Sequence, residues 1–174
     1  MKYLIPVMLI VLAACKEDQA ASQIPNPVEL TPEAAGHYCQ MVILEHQGPK
    51  AQAHLEGMLA PLWFSQVRDG IAYLKSPEQS AEISVLYVND MGQATSWTEL
   101  GQGNWITASD AYFVVGSVAI GGMGAPEVVP FGNQADAKEF AAEHGGKTMR
   151  LDDIPVDAVL APVDFDSITL ETSE

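Results

Sequence analysis

Residues 127–146 read EVVPFGNQADAKEFAAEHGG and combine a short apolar strand, a turn and a helix in direct succession. The strand is predicted over 127–131, where branched and aromatic side chains cluster, and the helix over 134–143, where two glycines close it. On either side of this stretch, residues 111–120 and 148–154 are further predicted strands. This part of the chain therefore has the predicted order ββαβ.

The first half of the chain has the same predicted order. Residues 38–45 and 51–56 are predicted strands, residues 60–75 an amphipathic helix and residues 82–89 a third strand. Sliding one unit along the other aligns Leu55 with Phe131, Phe64 with Phe140, and Gly70 with Gly146. The predicted fold class is α+β, with two similar ββαβ units, each a small and mainly antiparallel sheet with one helix.

The two ends of the chain are predicted to lie outside this fold. A basic start and a short apolar run ending in Leu-Ala-Ala-Cys resemble a bacterial lipoprotein signal, with Cys15 as the lipidated residue. The apolar run is too short for a permanent membrane-spanning helix. The predicted divisions are a signal peptide over 1–14, a lipidated anchor and flexible tether over 15–30, a first unit with the metal-binding motif over 31–95, a second unit over 96–160, and an acidic flexible tail over 161–174.

Composition and motifs exclude several classes of function. The chain has 8 Lys and Arg against 23 Asp and Glu, a formal charge of -15, so its surface would repel nucleic acid. A hydrophobic content of 48% excludes a disordered chain. The sequence contains no Gly-x-Ser-x-Gly elbow, phosphate-binding loop, His-Glu-x-x-His pair or Cys-x-x-Cys pair. We therefore predict that the protein is not an enzyme.

The main chemical signal is the motif GHYCQM at residues 36–41, at the entry to the first predicted strand. In an extended segment His37, Cys39 and Met41 would point to the same face. A thiolate and a thioether are soft ligands that favour Cu(I), and an imidazole can complete such a site. Zinc prefers four ligands among Cys, His and carboxylates, and is less well suited to this set.

Further donors are available elsewhere in the chain. Met123 lies in a Gly-Gly-Met-Gly loop and is the favoured distant ligand, while Met58 and His54 are weaker candidates. If Cys15 is lipidated, Cys39 has no cysteine partner for a disulfide, so it is buried, reactive or bound to metal. The residues alone leave two other interpretations open: Cys39 as a buried structural cysteine, and Met123 as a residue that only fills apolar space.

Four features together resemble the NosL family of accessory lipoproteins. They are the lipoprotein leader, the motif at 36–41, the segment GGMGAP at 121–126 and the segment LDDI at 151–154. The resemblance covers nearly the whole chain, and its specificity comes from the combination. It implies a fold of two ββαβ units, similar to the organomercury lyase fold. It also implies copper binding, with Cys39 and Met41 as the expected ligands.

The resemblance further implies a role in denitrification. NosL-like proteins are copper chaperones held by lipid on the periplasmic side of a membrane, where they supply Cu(I) for the copper-sulfide centre of nitrous oxide reductase. Their expected partners are the reductase and its ABC-type maturation complex. Lys16 after the anchor cysteine favours the outer membrane. The identity of the third ligand is left open. Whether a second metal or a homodimer completes the site is also left open.

Two other classes of function compete with the chaperone. In a cysteine-dependent enzyme of organomercury lyase-like architecture, Cys39 would be a nucleophile activated by His37 or His54. In a metal-free assembly adaptor, the protein would keep its function without Cys39. A copper storage protein would carry many more cysteines or methionines than the two and seven present here.

Overall fold

Seven strands and three helices are found in residues 24–163, the part of the chain that the computed structural model describes. The strands are β1 (Ala51–Leu55), β2 (Leu62–Phe64), β3 (Ile83–Val88), β4 (Ile106–Thr107), β5 (Tyr112–Val115), β6 (Val129–Phe131) and β7 (Lys147–Met149). The helices are α1 (Val67–Lys75), α2 (Gln134–His144) and α3 (Val156–Leu160), with short 3-10 helices at Ile43–Glu45 and Leu151–Asp153.

The strands form two antiparallel sheets with matching topology. One sheet has the order β2-β1-β3-β4 and the other the order β6-β5-β7. In each unit the first strand is flanked by the second strand on one side and by the strand after the helix on the other. The predicted α+β fold of two ββαβ units is therefore confirmed.

One apolar core joins the two units. Phe64 and Ile71 of the first unit lie in the same buried cluster as Phe113, Val128 and Ile154 from the second half of the chain. A smaller cluster fills the space between α2 and its own sheet. A unit of this size buries little apolar surface alone, so burial of side chains in the shared cluster stabilises both units.

The predicted strand over 38–45 is wrong. This segment is a turn followed by the 3-10 helix Ile43–Glu45. Gln40 has a φ of 56°, in the left-handed region, which an extended strand does not allow. The first strand of the unit is instead β1, within the range 51–56 that the sequence predicted as a strand.

The predicted helix over 60–75 is correct only in its second half. Residues 62–64 form β2, which pairs with β1, and α1 begins at Val67. Leu62 and Phe64 are two residues apart, the spacing of side chains on one face of a strand, whereas the apolar residues of α1 follow a helical period. Gln66 separates the two patterns with extended backbone angles of -146° and 149°.

The predicted alignment of the two units needs correction. Phe64 ends β2 and Phe131 ends β6, so these two residues correspond and Phe140 matches neither. Gly70 and Ala137 both occupy the fourth position of their helix, and both are buried. At Gly70 an added Cβ would lie 2.7 Å from Cβ of Ala51, so the glycine permits close packing of α1 on β1.

The remaining predicted elements of the second unit are present, and the strands among them are shorter than predicted. The helix predicted over 134–143 is confirmed as α2. The strand predicted over 111–120 ends at Val115, because Gly116 turns the chain with a φ of 76°. The strand predicted over 148–154 ends at Met149 and gives way to a 3-10 helix.

Residues 24–30, predicted to belong to the tether, contact the first sheet. The backbone N–H of Val28 donates to Gln52 Oε1, and Gln52 Nε2 donates to the Val28 carbonyl, at 2.8 and 3.0 Å. The Tyr87 hydroxyl donates to the Pro25 carbonyl. The predicted leader, Cys15 and most of the acidic tail lie outside the described residues. Among those residues no helix has the length and apolarity needed to cross a bilayer.

Candidate metal centre

The motif at residues 36–41 forms a closed loop that is pinned to β2. The N–H of Gly36 donates to the Met41 carbonyl at 2.9 Å, and the N–H of Gln40 donates to the Gly36 carbonyl at 2.9 Å. The N–H of His37 donates to the Trp63 carbonyl at 2.7 Å. Because the segment is not extended, the prediction that His37, Cys39 and Met41 share one strand face is wrong.

The thiol of Cys39 lies inside this loop, against the end of β2. Its sulfur is 3.3 Å from Ser65 Oγ, within hydrogen-bonding range for sulfur. A Cβ added at Gly36 would approach the Cys39 sulfur to 2.5 Å. Because Gly36 has no side chain, the thiol of Cys39 has room to occupy this space. Cys39 as a residue is half-buried.

Met123 is carried by a tight turn from the second unit. The N–H of Gly124 donates to the Gly121 carbonyl at 2.9 Å, and the N–H of Gly121 donates to the Ala125 carbonyl at 2.8 Å. The Met123 N–H in turn donates to Gln66 Oε1 at 3.2 Å. The turn is therefore fastened to the junction between β2 and α1.

A cavity of about 210 Å³ lies between the loop and the turn. Its lining residues are Gly36, His37, Tyr38, Cys39, Phe64, Ser65, Asp69 and Met123. The cavity thus brings together three of the predicted ligands, His37, Cys39 and Met123. The His37 ring also packs edge-on against Phe64 and Tyr73, with centroid distances of 5.8 and 5.3 Å.

The other predicted ligands do not line this cavity. The side chain of Met41 is 43% exposed, although its backbone lies against Gly36. Met58 is 47% exposed in the turn after β1. His54 is buried on β1, where its Nε2 lies 2.9 Å from Gln52 Oε1, and burial lowers its pKa. His54 therefore contributes to the packing of the first sheet.

Sequence reasoning missed two polar residues of the cavity, Ser65 and Asp69. Ser65 follows β2 directly and Asp69 lies in the first turn of α1, and the predicted continuous helix over 60–75 hid this strand-to-helix junction. Burial raises the pKa of Asp69, and a hydrogen bond from Gln66 Nε2 to its Oδ1, at 2.9 Å, opposes the shift. The break between a period of two and a period of 3.6 after Phe64 is the signal that could have located the junction.

A buried acid and a buried base lie behind the turn that carries Met123. Glu127 Oε1 accepts hydrogen bonds from the N–H groups of Arg68 and Val128, both at 2.9 Å. Burial raises the pKa of Glu127 to about 8. Burial also lowers the pKa of Lys50 to about 8, while its ammonium group donates to the carbonyls of Gln47 and Gly48.

The donors at the cavity suit a soft metal ion. Within residues 24–163, no three side chains among His, Cys, Asp and Glu cluster closely enough to hold a metal. A metal at this cavity would therefore depend on the thiol of Cys39 and on the thioether of Met123. Thiolate and thioether ligands select Cu(I) over Mg²⁺, Ca²⁺ or Mn²⁺.

The fold and the cavity define a small α+β domain of two ββαβ units with soft donors from both units. The sequence model of the NosL family matches residues 27–159. A copper-binding lipoprotein NosL from Achromobacter cycloclastes is 54% identical over 165 residues, which cover 94% of this chain and 84% of that protein. The chain belongs to the NosL family, as its sequence motifs predicted.

More distant and structural relatives agree with this assignment. A copper-binding lipoprotein NosL from Stutzerimonas stutzeri is 33% identical over 143 residues, covering 82% of this chain and 73% of that protein. The crystal structure of the copper chaperone NosL from Shewanella denitrificans superimposes with a TM-score of 0.69 at 31% identity, covering 74% of this chain and 95% of that one. The solution structure of apo-NosL from A. cycloclastes gives a TM-score of 0.50 at 55% identity, covering 66% and 91%.

Proposed function

We propose that this protein is a lipid-anchored Cu(I) chaperone that binds its cargo between the Cys39 loop and the Met123 turn. One observation carries the proposal: a single cavity has a thiol from one unit and a thioether from the other on its walls. The names of the relatives, which are copper-binding lipoproteins and a copper chaperone, support copper as the metal.

Each donor has a distinct proposed role. Cys39 is the strong anionic ligand once its thiol loses a proton to the solvent. Met123 is a neutral and weaker sulfur ligand from the opposite wall. His37 supplies an imidazole at the cavity wall, where it completes a three-coordinate site. Cu(I) accepts such a mixed soft set.

Met41 stays a proposed ligand on the strength of its Cys-x-Met spacing. Its exposed side chain would have to turn into the cavity when copper binds. A methionine side chain has three rotatable bonds and adapts readily. The cavity measures about 210 Å³. One water molecule takes up about 30 Å³ of liquid volume, so an ion and an incoming thioether can share this space.

A site with one strong ligand and several weak ones suits a chaperone. The weak ligands can be exchanged one at a time for those of an acceptor, so the ion is never released into water. Cys39 is a half-buried residue and Met41 an exposed one, so we infer that an acceptor approaches the site from the side of these two residues. The protein would bind copper stoichiometrically without chemical turnover, and so would not be an enzyme.

The acceptor and the location follow from the family resemblance. We propose delivery to the copper-sulfide centre of nitrous oxide reductase, together with its ABC-type maturation complex. We also propose a lipid at Cys15 that holds the protein on the periplasmic side of a bacterial membrane, with Lys16 favouring the outer membrane. The lipoprotein relatives support the anchor.

The test is an anaerobic Cu(I) titration of the mature lipoprotein in detergent, in competition with a chromophoric chelator. A thiol assay first counts free cysteines, and a count of one is expected because lipidation blocks Cys15. We expect wild type to bind one Cu(I) tightly and Cys39→Ala to lose tight binding. Met123→Leu should weaken binding, because a methyl group replaces the thioether.

Met58→Leu is the matched control. Met58 is a partly exposed methionine outside the cavity, so its replacement should leave the affinity unchanged. Equal affinities for wild type and Cys39→Ala would remove the copper-chaperone proposal. That result would leave a cysteine-dependent enzyme or a metal-free adaptor, which assays of substrate turnover and of reductase assembly with Cys39→Ala would separate.

A further inference from the structure

We propose that Gln66 is a positioning residue that fixes the Met123 thioether over the cavity before copper arrives. The proposal rests on the function proposed above, with Met123 as a ligand. Gln66 is 3% exposed and lies between β2 and α1, next to Ser65, which contacts the Cys39 thiol. A single junction would thus support both sulfur ligands.

The two ends of the Gln66 side chain have different and suitable partners. Its Oε1 accepts the N–H of Met123 at 3.2 Å, and its Nε2 donates to Asp69 Oδ1 at 2.9 Å. A backbone N–H can only donate and a carboxylate can only accept, so this pairing fixes the orientation of the amide. Asp69 in turn lines the cavity. Gln66 therefore links two walls of the site.

The internal repeat shows that the bond between Met123 and Gln66 is specific to the first unit. The bond from the side-chain amide to the acid three residues on recurs in the second unit, from Asn133 to Asp136. Asn133 occupies the corresponding position before α2, and its side chain caps that helix by accepting the Asp136 N–H at 2.9 Å. Gln66 makes no such bond to its own helix. Instead Glu127 accepts the Arg68 N–H at the start of α1. The longer amide is thereby free to reach the Met123 turn.

The glycines of the turn fit closely onto this support. A Cβ added at Gly121 would lie 2.6 Å from Gln66 Oε1, and one at Gly122 would lie 2.7 Å from Cβ of His46. Glycine-rich segments lose much conformational entropy when they become ordered. If Gln66 orders the turn in the free protein, less conformational entropy is lost when copper binds.

The test is a double-mutant cycle of Gln66→Asn and Met123→Leu, measured as Cu(I) affinity of the mature lipoprotein. The shorter asparagine matches Asn133 and can cap α1, but it does not reach the turn. Loss of an outer-sphere support lowers metal affinity by about 10- to 100-fold in other sites, and we expect a loss in this range for Gln66→Asn. In the Met123→Leu background the same change should have no further effect.

Gln52→Leu is the matched control for loss of a buried glutamine. Gln52 is fully buried and bonded to backbone groups of Val28, and it does not line the cavity. Its replacement should lower the denaturation midpoint and leave the affinity unchanged. X-ray absorption should show fewer sulfur neighbours of copper in Gln66→Asn than in wild type, because a disordered turn leaves Met123 bound in only part of the sample. A loss of general stability would not produce this change.

Each other outcome overturns the proposal. Equal losses from Gln66→Asn in both backgrounds would show that Gln66 does not act through Met123. If Met123→Leu binds like wild type while Cys39→Ala does not, the positioning role fails and the chaperone stands. If wild type itself does not bind copper, both proposals fail. Should Gln66→Asn not fold, Gln66→Leu takes its place in the cycle, with the same expected result.

Discussion

At the scale of single residues, Gly36 decides whether the thiol of Cys39 can lie in the cavity. Gly36→Ala should move the Cys39 side chain, since the new methyl group would meet the sulfur at 2.5 Å. We expect a loss of about 1–3 kcal/mol in the free energy of unfolding, as for other overpacked sites. Chemical denaturation measures this loss, and the Cu(I) titration should show a weaker site.

The Cys39→Ala background provides the control for this prediction. With the sulfur removed, the nearest atoms to the added methyl group are Ser65 Oγ at 3.1 Å and a methyl of Ile43 at 3.3 Å. Gly36→Ala should then cost clearly less stability than in wild type. An equal cost in the two backgrounds would mean that the strain arises from the backbone and not from contact with the thiol.

Donor chemistry selected six candidate ligands, of which three line the cavity and Met41, Met58 and His54 do not. His37, Cys39 and Met123 were selected for their soft or borderline donor atoms, and all three line the cavity. The shared strand face proposed for the motif was wrong, because hydrogen bonds between Gly36 and Met41 close the segment into a loop. The left-handed backbone of Gln40 allows this closure, and the bond from the His37 N–H to Trp63 holds the loop on β2. The types of the six residues reveal neither feature.

At the scale of elements, the order ββαβ was predictable but the boundaries of the first unit were not. Residues 60–75 contain a strand pattern followed by a helix pattern, and their apolar residues together imitate one long amphipathic helix. The second unit was predicted better, because Asn133 and the two glycines mark both ends of α2. The corresponding Gln66 gives a weaker sequence signal, because glutamine is not among the residues preferred at a helix N-cap.

The N-terminus of α1 depends on Glu127, a residue from the other unit, which makes stability sensitive to pH. Burial raises the pKa of Glu127 to about 8, above its ordinary value of 4.5. Between these two values the folded protein holds a proton that the unfolded chain releases. The contribution of Glu127 to stability is therefore fully present below pH 4.5 and is lost as the pH rises through 8.

We expect Glu127→Gln to stabilise the protein near pH 8. The glutamine keeps the oxygen that accepts from Arg68 and Val128, and it removes the buried ionisation. The gain relative to wild type should grow between pH 5 and 8 and exceed about 1.4 kcal/mol, the equivalent of one pKa unit. Urea denaturation at several pH values measures it. A constant difference across this range would show that Glu127 titrates normally in the folded protein.

At the scale of the whole molecule, the two units depend on each other for both the site and the core. The cavity takes Cys39 from one unit and Met123 from the other, so a change in their relative position would separate the proposed ligands. The first sheet also includes β4, which follows the long connection between the units in sequence. Copper binding and the folding of the entire domain are thus expected to be coupled.

We predict that residues 24–95 do not fold alone, although they contain a complete ββαβ unit. Without the second half, Phe64 and Ile71 lose their contacts with the cluster that contains Phe113 and Ile154, and β3 loses β4. A unit of this size is already close to the lower limit for an independent core. The fragment should show no cooperative thermal transition by circular dichroism, whereas residues 24–163 should unfold in one step. A cooperative transition in the fragment would mean that each unit is a domain of its own, joined to the other mainly through the metal site.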